Sequence, residues 1–285
     1  MTKGAGRGRR RSLWLGLLTL LGISEKGFFI PYRYAAALPR PGTRLPYAVA
    51  EARLAAERVQ FQSVLDWIGE FEDSLARIGG EPPPAPRWGQ SWFPPLDAAV
   101  AYTLVRRLAP RRIVEVGSGH STRFLARAVA DGGHATRITA IDPAPRAELA
   151  GLDIELDRRS LQEAAPNGLS DLAAGDFLVI DSSHILMPGS DVDLLLGRVL
   201  PGLPPGVLVH LHDIFLPDDY PAHWAWRGYN EQLGVLPLLA GDRVEVIFAS
   251  HYVSTRMTGD LAASAAGRLP RAAETLESSL WLKTR

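Results

Sequence analysis

The chain has 285 residues with 31 basic and 31 acidic side chains, so its formal net charge is zero. Its hydrophobic content of 46% and charged content of 22% are those of a globular protein, and they exclude a disordered or collagen-like chain. The neutral balance argues against binding of nucleic acid through a broad basic surface. The absence of cysteine excludes disulfides, thiolate metal sites and a cysteine nucleophile.

The N-terminus combines a basic stretch with a short apolar run. Five basic residues lie between Lys3 and Arg11, and a largely apolar segment follows from Leu13 to Gly22. This order resembles a signal peptide, but no small-residue cleavage site follows promptly, and the run is shorter than the about 20 residues that span a bilayer. We therefore expect a cytoplasmic protein with this helix on its own surface. A peripheral membrane contact or self-association through the N-terminal helices is the alternative.

The spacing of apolar residues predicts one long amphipathic helix over residues 46–78. From Phe61 to Ile78 the apolar side chains recur every three or four residues, which places them on one face. Two glycines and the proline-rich residues 81–86 then end the helix. We predict an N-terminal helical extension over residues 1–90 and a second domain over residues 91–285. The apolar face should pack on that domain or on a second subunit.

From about residue 95, short strand-like runs alternate with helix-compatible segments. The predicted strands are residues 112–116, 138–141, 153–156, 177–180, 207–212 and 244–248, and the predicted helices are residues 120–130, 144–150, 160–174, 189–200 and 229–240. This alternation predicts an α/β fold with a doubly wound, mostly parallel sheet. Such sheets bind ligands at the carboxyl ends of their strands, so functional residues should lie there.

A glycine-containing turn follows the first predicted strand. Gly117 and Gly119 lie between Glu115 and the next predicted helix, and glycine allows a positive φ and a close approach of ligand to backbone. Thr122 stands where the dinucleotide-binding fingerprint has its third glycine. Because the Glu115 carboxylate would repel a pyrophosphate, this turn favours a ligand that carries positive charge.

Asp142 closes the second predicted strand and precedes Pro143. A carboxylate at this position can accept hydrogen bonds from both hydroxyls of a ribose, or it can cap the turn that follows. The glycine turn upstream favours the ribose. Two carboxylates around a nucleoside with a charged tail indicate S-adenosylmethionine (SAM), whose ammonium and sulfonium groups are cationic.

These segments resemble the cofactor motifs of class I SAM-dependent methyltransferases. Residues 176–184 (Asp-Phe-Leu-Val-Ile-Asp-Ser-Ser-His) and 209–215 (Val-His-Leu-His-Asp-Ile-Phe) extend the resemblance to a bacterial group of small-molecule methyltransferases, the methyltransferase domain 24 group, over residues 95–250. The chain departs from the pattern at Ser121, where many members have a third glycine. The resemblance implies a seven-stranded sheet in the order 3-2-1-4-5-7-6, with residues 279–283 as an antiparallel last strand.

The candidate cofactor-binding residues surround the ends of the first four strands. They are Glu115, Gly117, Ser118, Gly119, Asp142, Ser160 and Asp181. Ser160 is placed among them only by the resemblance, because the loop after the third strand helps to hold adenine in that family.

Ionisable residues close the fourth and fifth predicted strands, which should be neighbours. Asp181 and His184 follow the fourth strand, and His212 and Asp213 end the fifth, so they should share one cleft, whereas His210 is expected in the interior. We predict His184 or His212 as the base that takes the proton of a hydroxyl acceptor, with Asp213 or Asp181 orienting it. A variant of this site holds Mg²⁺ between Asp181 and Asp213.

The sequence thus predicts a SAM-dependent methyltransferase that acts on a hydroxyl of a small molecule or sugar. The aromatic loop of residues 218–226 is either a substrate lid or a loop that packs on the sheet. Two other functions stay open. One is an NAD(P)-dependent oxidoreductase, which Thr122 and Glu115 disfavour, and the other is a non-catalytic module that binds a partner through the helix of residues 46–78.

Overall fold

A computed structural model of the chain describes residues 3–165, 169, 171–272 and 275–285. The strands are β1 (Arg112–Val116), β2 (Arg137–Ile141), β3 (Glu155–Asp157), β4 (Phe177–Ile180), β5 (Leu208–Leu211), β6 (Val244–Ala249) and β7 (Leu280–Thr284). They form one seven-stranded sheet in the order β3-β2-β1-β4-β5-β7-β6. The first five strands pair in parallel, and β7 is antiparallel to both β5 and β6. The predicted fold class and strand order are therefore confirmed.

Helices cover the sheet, and five of them precede the first strand in the chain. They are α1 (Lys3–Leu20), α2 (Ala48–Ala55), α3 (Arg58–Gly69), α4 (Glu72–Ala76), α5 (Pro95–Leu108), α6 (His120–Gly132), α7 (Leu161–Ala164), α8 (Asp191–Leu194), α9 (Leu200–Gly202), α10 (Glu231–Ala240), α11 (Ser250–Arg256) and α12 (Thr258–Ala263). The central strand β4 consists of four consecutive apolar residues, all buried, because helices cover both faces of a parallel sheet.

The prediction of one helix over residues 46–78 is wrong, because the chain forms the three short helices α2, α3 and α4 instead. The helical path is interrupted at Glu57 (φ −99°) and at Phe71 (φ −115°). These breaks let the apolar face follow the curved surface of the sheet. Phe61 packs edge-on against Phe248 of β6, and Phe71 packs edge-on against Tyr102 of α5.

The apolar face of α2–α4 is buried by the chain's own sheet and helices. Core residues run continuously from Ala50 and Phe61 through Trp88 to the strands. Residues on both sides of the predicted boundary at residue 90 therefore share one core. This face is covered, so it does not offer the partner surface that the non-catalytic alternative requires.

Other predicted elements differ in extent. Helix α5 was not predicted, because its mostly apolar residues show no clear helical period. Eleven of its residues, from Pro95 to Val105, are buried. Residues 144–150 form turns, since Pro143 and Pro145 disfavour a helix there. The predicted helix 160–174 is reduced to α7, and its residues 166–168 and 170 lie outside the described residues.

The N-terminal helix α1 packs on the protein's own surface, as expected. Its contact is the 3₁₀ helix Ala222–Arg227, where Gly8 lies against the Trp226 ring and the Ser12 hydroxyl is 3.4 Å from the Trp226 carbonyl oxygen. Within the described ranges, every helix is too short or too polar to cross a bilayer.

Candidate active site

Two pockets lie side by side at the carboxyl edge of the parallel strands. The first, which we call the Asp142 pocket, has a volume of about 480 Å³ and lies over the ends of β1, β2 and β4. The second, the His184 pocket, has a volume of about 320 Å³ and lies over the ends of β4 and β5. Ser118, Arg146 and Asp181 line both pockets, so molecules bound in the two would meet at these residues.

The turn after β1 depends on one glycine. Gly117 has a φ of 86°, a left-handed conformation that glycine favours. A Cβ atom at this position would lie 1.9 Å from the carbonyl oxygen of Asp181. Gly119 differs, because its φ of 168° is extended and a Cβ there would meet no atom within 4 Å. Gly117 therefore brings the ends of β1 and β4 together, whereas Gly119 borders open space.

Glu115 lies beneath this turn and lines neither pocket. Its side chain is fully buried, and its two oxygens accept hydrogen bonds of 2.6 Å from the hydroxyls of Ser121 and Thr122. Burial raises the pKa of Glu115 to about 8, although both hydroxyl hydrogen bonds oppose this change. The side chain thus ties β1 to the first turn of α6, which differs from the predicted direct contact with a cationic ligand.

Asp142 caps the turn after β2 and also lines the Asp142 pocket. Its Oδ1 accepts a hydrogen bond of 2.8 Å from the backbone N–H of Ala144 and so caps the turn after β2. Its Oδ2 accepts hydrogen bonds of 2.8 Å from both the backbone N–H and the hydroxyl of Ser118. The carboxylate remains half-buried and lines the Asp142 pocket, where it can accept further hydrogen bonds.

Ser160 also lines the Asp142 pocket, at the start of α7. Its backbone N–H and its hydroxyl donate hydrogen bonds of 3.0 and 2.7 Å to Glu163, which closes the first turn of the helix. Of the predicted cofactor-binding residues, Gly117, Ser118, Asp142, Ser160 and Asp181 line this pocket. Gly119 lies in the neighbouring His184 pocket.

The His184 pocket gathers the four ionisable residues predicted from the ends of β4 and β5: Asp181, His184, His212 and Asp213. The Nε2 atom of His184 lies 3.3 Å from Asp181 Oδ1 and 3.4 Å from Asp213 Oδ2. On the other side of the ring, Nδ1 lies 2.9 Å from Oε2 of the buried Glu231. His184 is thus held by a carboxylate at one nitrogen and directs the other into the pocket.

His212 forms a second histidine–carboxylate pair. Its Nε2 atom lies 3.3 Å from Oδ2 of Asp97, which is fully buried in α5. Its Nδ1 atom lies 3.5 Å from both Asp181 Oδ1 and Asp213 Oδ1. The two imidazoles therefore lie against the same two carboxylates, each with a buried carboxylate behind it.

This arrangement changes the pKa values of both histidines in the same direction. Burial alone would lower the pKa of His184, but the hydrogen bond with Asp181 and the charges of Asp213 and Glu231 outweigh it and hold the pKa well above its usual value. The charges of Asp181 and Asp213 raise the pKa of His212 likewise. Conversely, His212 and His184 hold the pKa of Asp181 well below its usual range against the effect of burial.

Two of these residues have left-handed backbones that are uncommon outside glycine. His184 has a φ of 60° and Asp213 a φ of 56°. The carbonyl oxygen of His184 accepts hydrogen bonds from the N–H groups of Asn230 and Glu231, at 3.1 and 3.3 Å. These bonds fix the His184 loop against the start of α10 and keep the imidazole beside Glu231. Strained backbone of this kind is typical of functional sites.

Sequence reasoning missed Asp97 and Glu231, although each pairs with a predicted histidine. Asp97 is one acidic residue in the apolar run from Pro94 to Val105, and an unexplained charge in such a run is a usable signal. It also accepts hydrogen bonds from the N–H groups of Ser278 and Ser279. Glu231 resembles an ordinary acidic residue in the first turn of a helix and gave no such signal.

His210 lies in the interior, as predicted. Its Nε2 atom is 2.7 Å from the Ser279 hydroxyl, and the side chain is fully buried. Burial and the neighbouring His212 lower the pKa of His210 to about 3. It is therefore a neutral residue of the core.

Aromatic side chains form the walls of the His184 pocket. Trp92 stacks on His120 with ring centroids 5.4 Å apart. Opposite them, the Arg227 guanidinium lies 3.9 Å from the ring centroid of Trp224 and donates a hydrogen bond of 3.2 Å to the hydroxyl of Tyr229. The predicted aromatic loop thus lines the pocket, and Trp224 also packs edge-on against Phe215 beside the sheet.

Asp181 and Asp213 do not fit Mg²⁺. This ion prefers near-octahedral oxygen ligands, whereas imidazole nitrogens of His184 and His212 lie within 3.5 Å of both carboxylates. In the part of the chain that the structure describes, no group of three or more His, Asp or Glu side chains is arranged to hold a metal ion.

Comparisons with known proteins found both solved structures and a family model. Among solved structures, the chain is similar to an O-methyltransferase from Bacillus cereus in complex with SAH (14% identity, 78% of this chain and 91% of that chain, TM-score 0.40). It is also similar to an O-methyltransferase of tomaymycin synthesis from Streptomyces achromogenes (17%, 66% and 79%, TM-score 0.41) and to an SAH-bound methyltransferase from Podospora anserina (13%, 91% and 99%, TM-score 0.43).

No curated protein matches the chain significantly. A family model does match: the one described as a methyltransferase domain, of the domain 24 group, covers residues 114–214. This range begins in β1 and includes Asp142, Asp181, His184 and Asp213. Residues 114–214 of the chain therefore match the methyltransferase domain of the domain 24 group, and they lie in a sheet with the strand order that the sequence resemblance implies.

Proposed function

We propose that the chain transfers a methyl group from SAM to a hydroxyl oxygen of a small molecule, which can be a sugar or an aromatic compound. The observation that carries this proposal is the contact between the two pockets. Asp181 and Ser118 line both, so a cofactor in the Asp142 pocket and an acceptor in the His184 pocket would meet beside His184.

The Asp142 pocket holds the nucleoside. Asp142 is oriented by Ser118 and Ala144 and accepts hydrogen bonds from the ribose hydroxyls, while Ser160 lies beside the adenine. SAM, when bound, would supply a methyl group on its sulfonium. In-line attack by the acceptor oxygen would form the oxygen–methyl bond and break the sulfur–methyl bond, with S-adenosylhomocysteine as the leaving group. Alignment of the two reactants then accounts for most of the acceleration, about 7–11 kcal/mol.

His184 removes the proton from the acceptor hydroxyl. Glu231 holds its Nδ1 side, so the Nε2 atom faces the pocket between Asp181 and Asp213. A base in this position contributes about 10²–10⁴-fold to the rate. Because the pKa of His184 is raised, the ring accepts a proton only after it becomes neutral, so turnover should increase as the pH rises above neutrality. His212, held by Asp97, keeps the two shared carboxylates in place.

The walls of the His184 pocket favour a planar or ring-shaped acceptor. Trp92, Trp224 and Tyr229 line this pocket and supply aromatic surface against which an acceptor ring can pack. Arg227 and Arg146 add positive charge at the pocket. A cavity of about 320 Å³ accommodates a small molecule rather than a protein segment.

Titration calorimetry with S-adenosylhomocysteine tests the cofactor site. We expect binding by the wild type and a loss of affinity of about tenfold or more for Asp142→Ala, because a charge-assisted hydrogen bond is removed. Asp157→Ala is the matched control: this carboxylate ends the neighbouring strand β3 but lines neither pocket, so affinity should not change. Binding of NADH instead of S-adenosylhomocysteine would favour the oxidoreductase.

Methyl transfer from labelled SAM to a panel of catechols, sugars and amines tests the acceptor site. The hydroxyl compounds should be labelled, and His184→Asn should lower kcat by about 10²–10⁴-fold with unchanged affinity for S-adenosylhomocysteine. His134→Asn, outside both pockets, should leave both quantities unchanged. Labelling of amines alone, or a parallel loss of turnover and cofactor affinity in His184→Asn, would contradict the proposal.

A further inference from the structure

The N-terminal segment exposes a continuous group of large apolar side chains. We call Leu13, Trp14, Leu17, Leu20, Phe28 and Phe29 the N-terminal apolar patch. Each is between 47% and 66% exposed, although side chains of this size are normally buried. Outside this segment, exposed large apolar residues such as Val59 and Leu108 occur singly.

The first four patch residues share the side of α1 that faces away from the protein. The helix contacts the 3₁₀ helix Ala222–Arg227 through Gly8 and Ser12, and Leu15, on that same side, is half-buried. Leu13, Leu17 and Leu20 follow the helical spacing of a second face, and all three side chains are exposed there. The helix is therefore docked along one side and exposes an apolar side to solvent.

Two phenylalanines that follow the helix are exposed as well. After Leu20 the chain turns, and the backbone N–H of Lys26 donates a hydrogen bond of 3.0 Å to the Thr19 hydroxyl. This bond returns the chain to the C-terminal end of α1, from which Phe28 and Phe29 project as exposed side chains.

Positive charge accompanies the patch. Residues 1–24 contain five basic residues and no acidic residue, and Arg10 and Arg11 are exposed next to Leu13. A second copy of the chain is a poor partner, since docking two such segments would bring like charges together. An anionic lipid surface accepts both the basic residues and the apolar side chains.

We propose that the N-terminal segment docks the protein on anionic membranes, with α1 lying in the interface and the N-terminal apolar patch inserted among the lipids. The helix is too short and too basic to cross the bilayer. Because α1 packs on the 3₁₀ helix that lines the His184 pocket, the membrane would lie beside that pocket. Docking does not depend on the proposed acceptor chemistry, so the two proposals can fail separately.

Co-sedimentation of the full chain with vesicles tests the proposal. We expect binding to phosphatidylcholine vesicles that contain about one third phosphatidylglycerol, and at least about tenfold weaker binding to phosphatidylcholine alone. The double variants Trp14→Ser/Leu17→Ser and Arg10→Glu/Arg11→Glu should each reduce binding to the anionic vesicles by at least about tenfold. Val59→Ser and Arg198→Glu, exposed elsewhere, are the matched controls and should bind as the wild type does.

Affinity for S-adenosylhomocysteine, measured without vesicles, should stay unchanged in all these variants and shows that they fold. Failure of the wild type to bind anionic vesicles would overturn the proposal, as would equal binding by the patch variants. Sedimentation velocity without lipid tests the alternative, in which a second copy of the chain covers the patch. A dimer of the wild type that the Trp14→Ser/Leu17→Ser variant abolishes would show that a second copy covers the patch instead.

Discussion

The Asp142 pocket and the His184 pocket share an edge of the sheet but are assembled differently. In the first, Ser118 and Asp142 follow adjacent strands and are joined by short hydrogen bonds between their own loops. In the second, His184 and His212 depend on Glu231 and Asp97, which lie on distant helices. The Asp142 pocket is thus built from local turns, whereas the His184 pocket recruits charged groups from distant parts of the chain.

The largest effect is expected from a substitution that disrupts the turn after β1. In Gly117→Ala the new Cβ would overlap the carbonyl oxygen of Asp181, which is fixed because the Asp181 N–H is bonded to Val116. We expect a loss of about 3 kcal/mol or more in the free energy of unfolding, measured with urea. In the control Gly119→Ala, the added methyl group meets no atom, so the loss should be about 1 kcal/mol or less. Equal losses would show that the close approach is not what Gly117 provides.

An intermediate effect is expected from removing a carboxylate that lies beside His184 but comes from a distant part of the chain. Glu231→Gln removes one carboxylate that raises the pKa of His184, so the pH at which turnover increases should shift to lower values. We also expect kcat at high pH to fall by about tenfold, because the amide orients the imidazole less well. The pH dependence of kcat measures both. Asp218→Asn, which disturbs a histidine pair with His251 outside both pockets, should leave the profile unchanged.

The same variant changes how stability depends on pH. The folded state raises the pKa of His184 above its ordinary value of 6.5, so the stabilisation from its ion pairs is complete below that pH. It is lost as the pH rises through the folded-state pKa. The decrease in unfolding free energy above pH 6.5 should therefore be smaller in Glu231→Gln than in the wild type. An identical decrease would show that Glu231 does not help to hold the proton on His184.

The smallest effect is expected at Glu115. Burial raises its pKa from 4.5 to about 8, so the side chain is protonated at neutral pH, and Glu115→Gln resembles this neutral form. The preference of the folded state for the proton stabilises the wild type below pH 4.5, and this stabilisation is lost as the pH rises through 8. At pH 7 the variant should be about as stable as the wild type, with affinity for S-adenosylhomocysteine within about threefold. A tenfold loss of affinity would instead support the direct contact between Glu115 and a cationic ligand that the sequence predicts.

Much of the cofactor site could be predicted because its signals are short-range. Gly117 and Asp142 each follow a recognisable apolar strand. Because these two strands are parallel neighbours, the loops after them meet at the carboxyl edge of the sheet. The helix break at Phe71 could not be predicted in the same way. The apolar spacing continues through it, and the contact of Phe71 with Tyr102 joins residues that are distant in the sequence.

The sequence by itself determined the strand runs of the mostly parallel sheet and the strand-end residues at its carboxyl edge, because strand runs and turns are specified by neighbouring residues. The strand order followed from the resemblance to the methyltransferase family. Only the tertiary structure decided what those residues do. It turned Glu115 inward onto Ser121 and Thr122, and it placed Asp97 and Glu231 behind the two histidines. The physical reason is that burial and charge pairing depend on groups far apart in the chain, whose proximity is fixed only when the whole core packs.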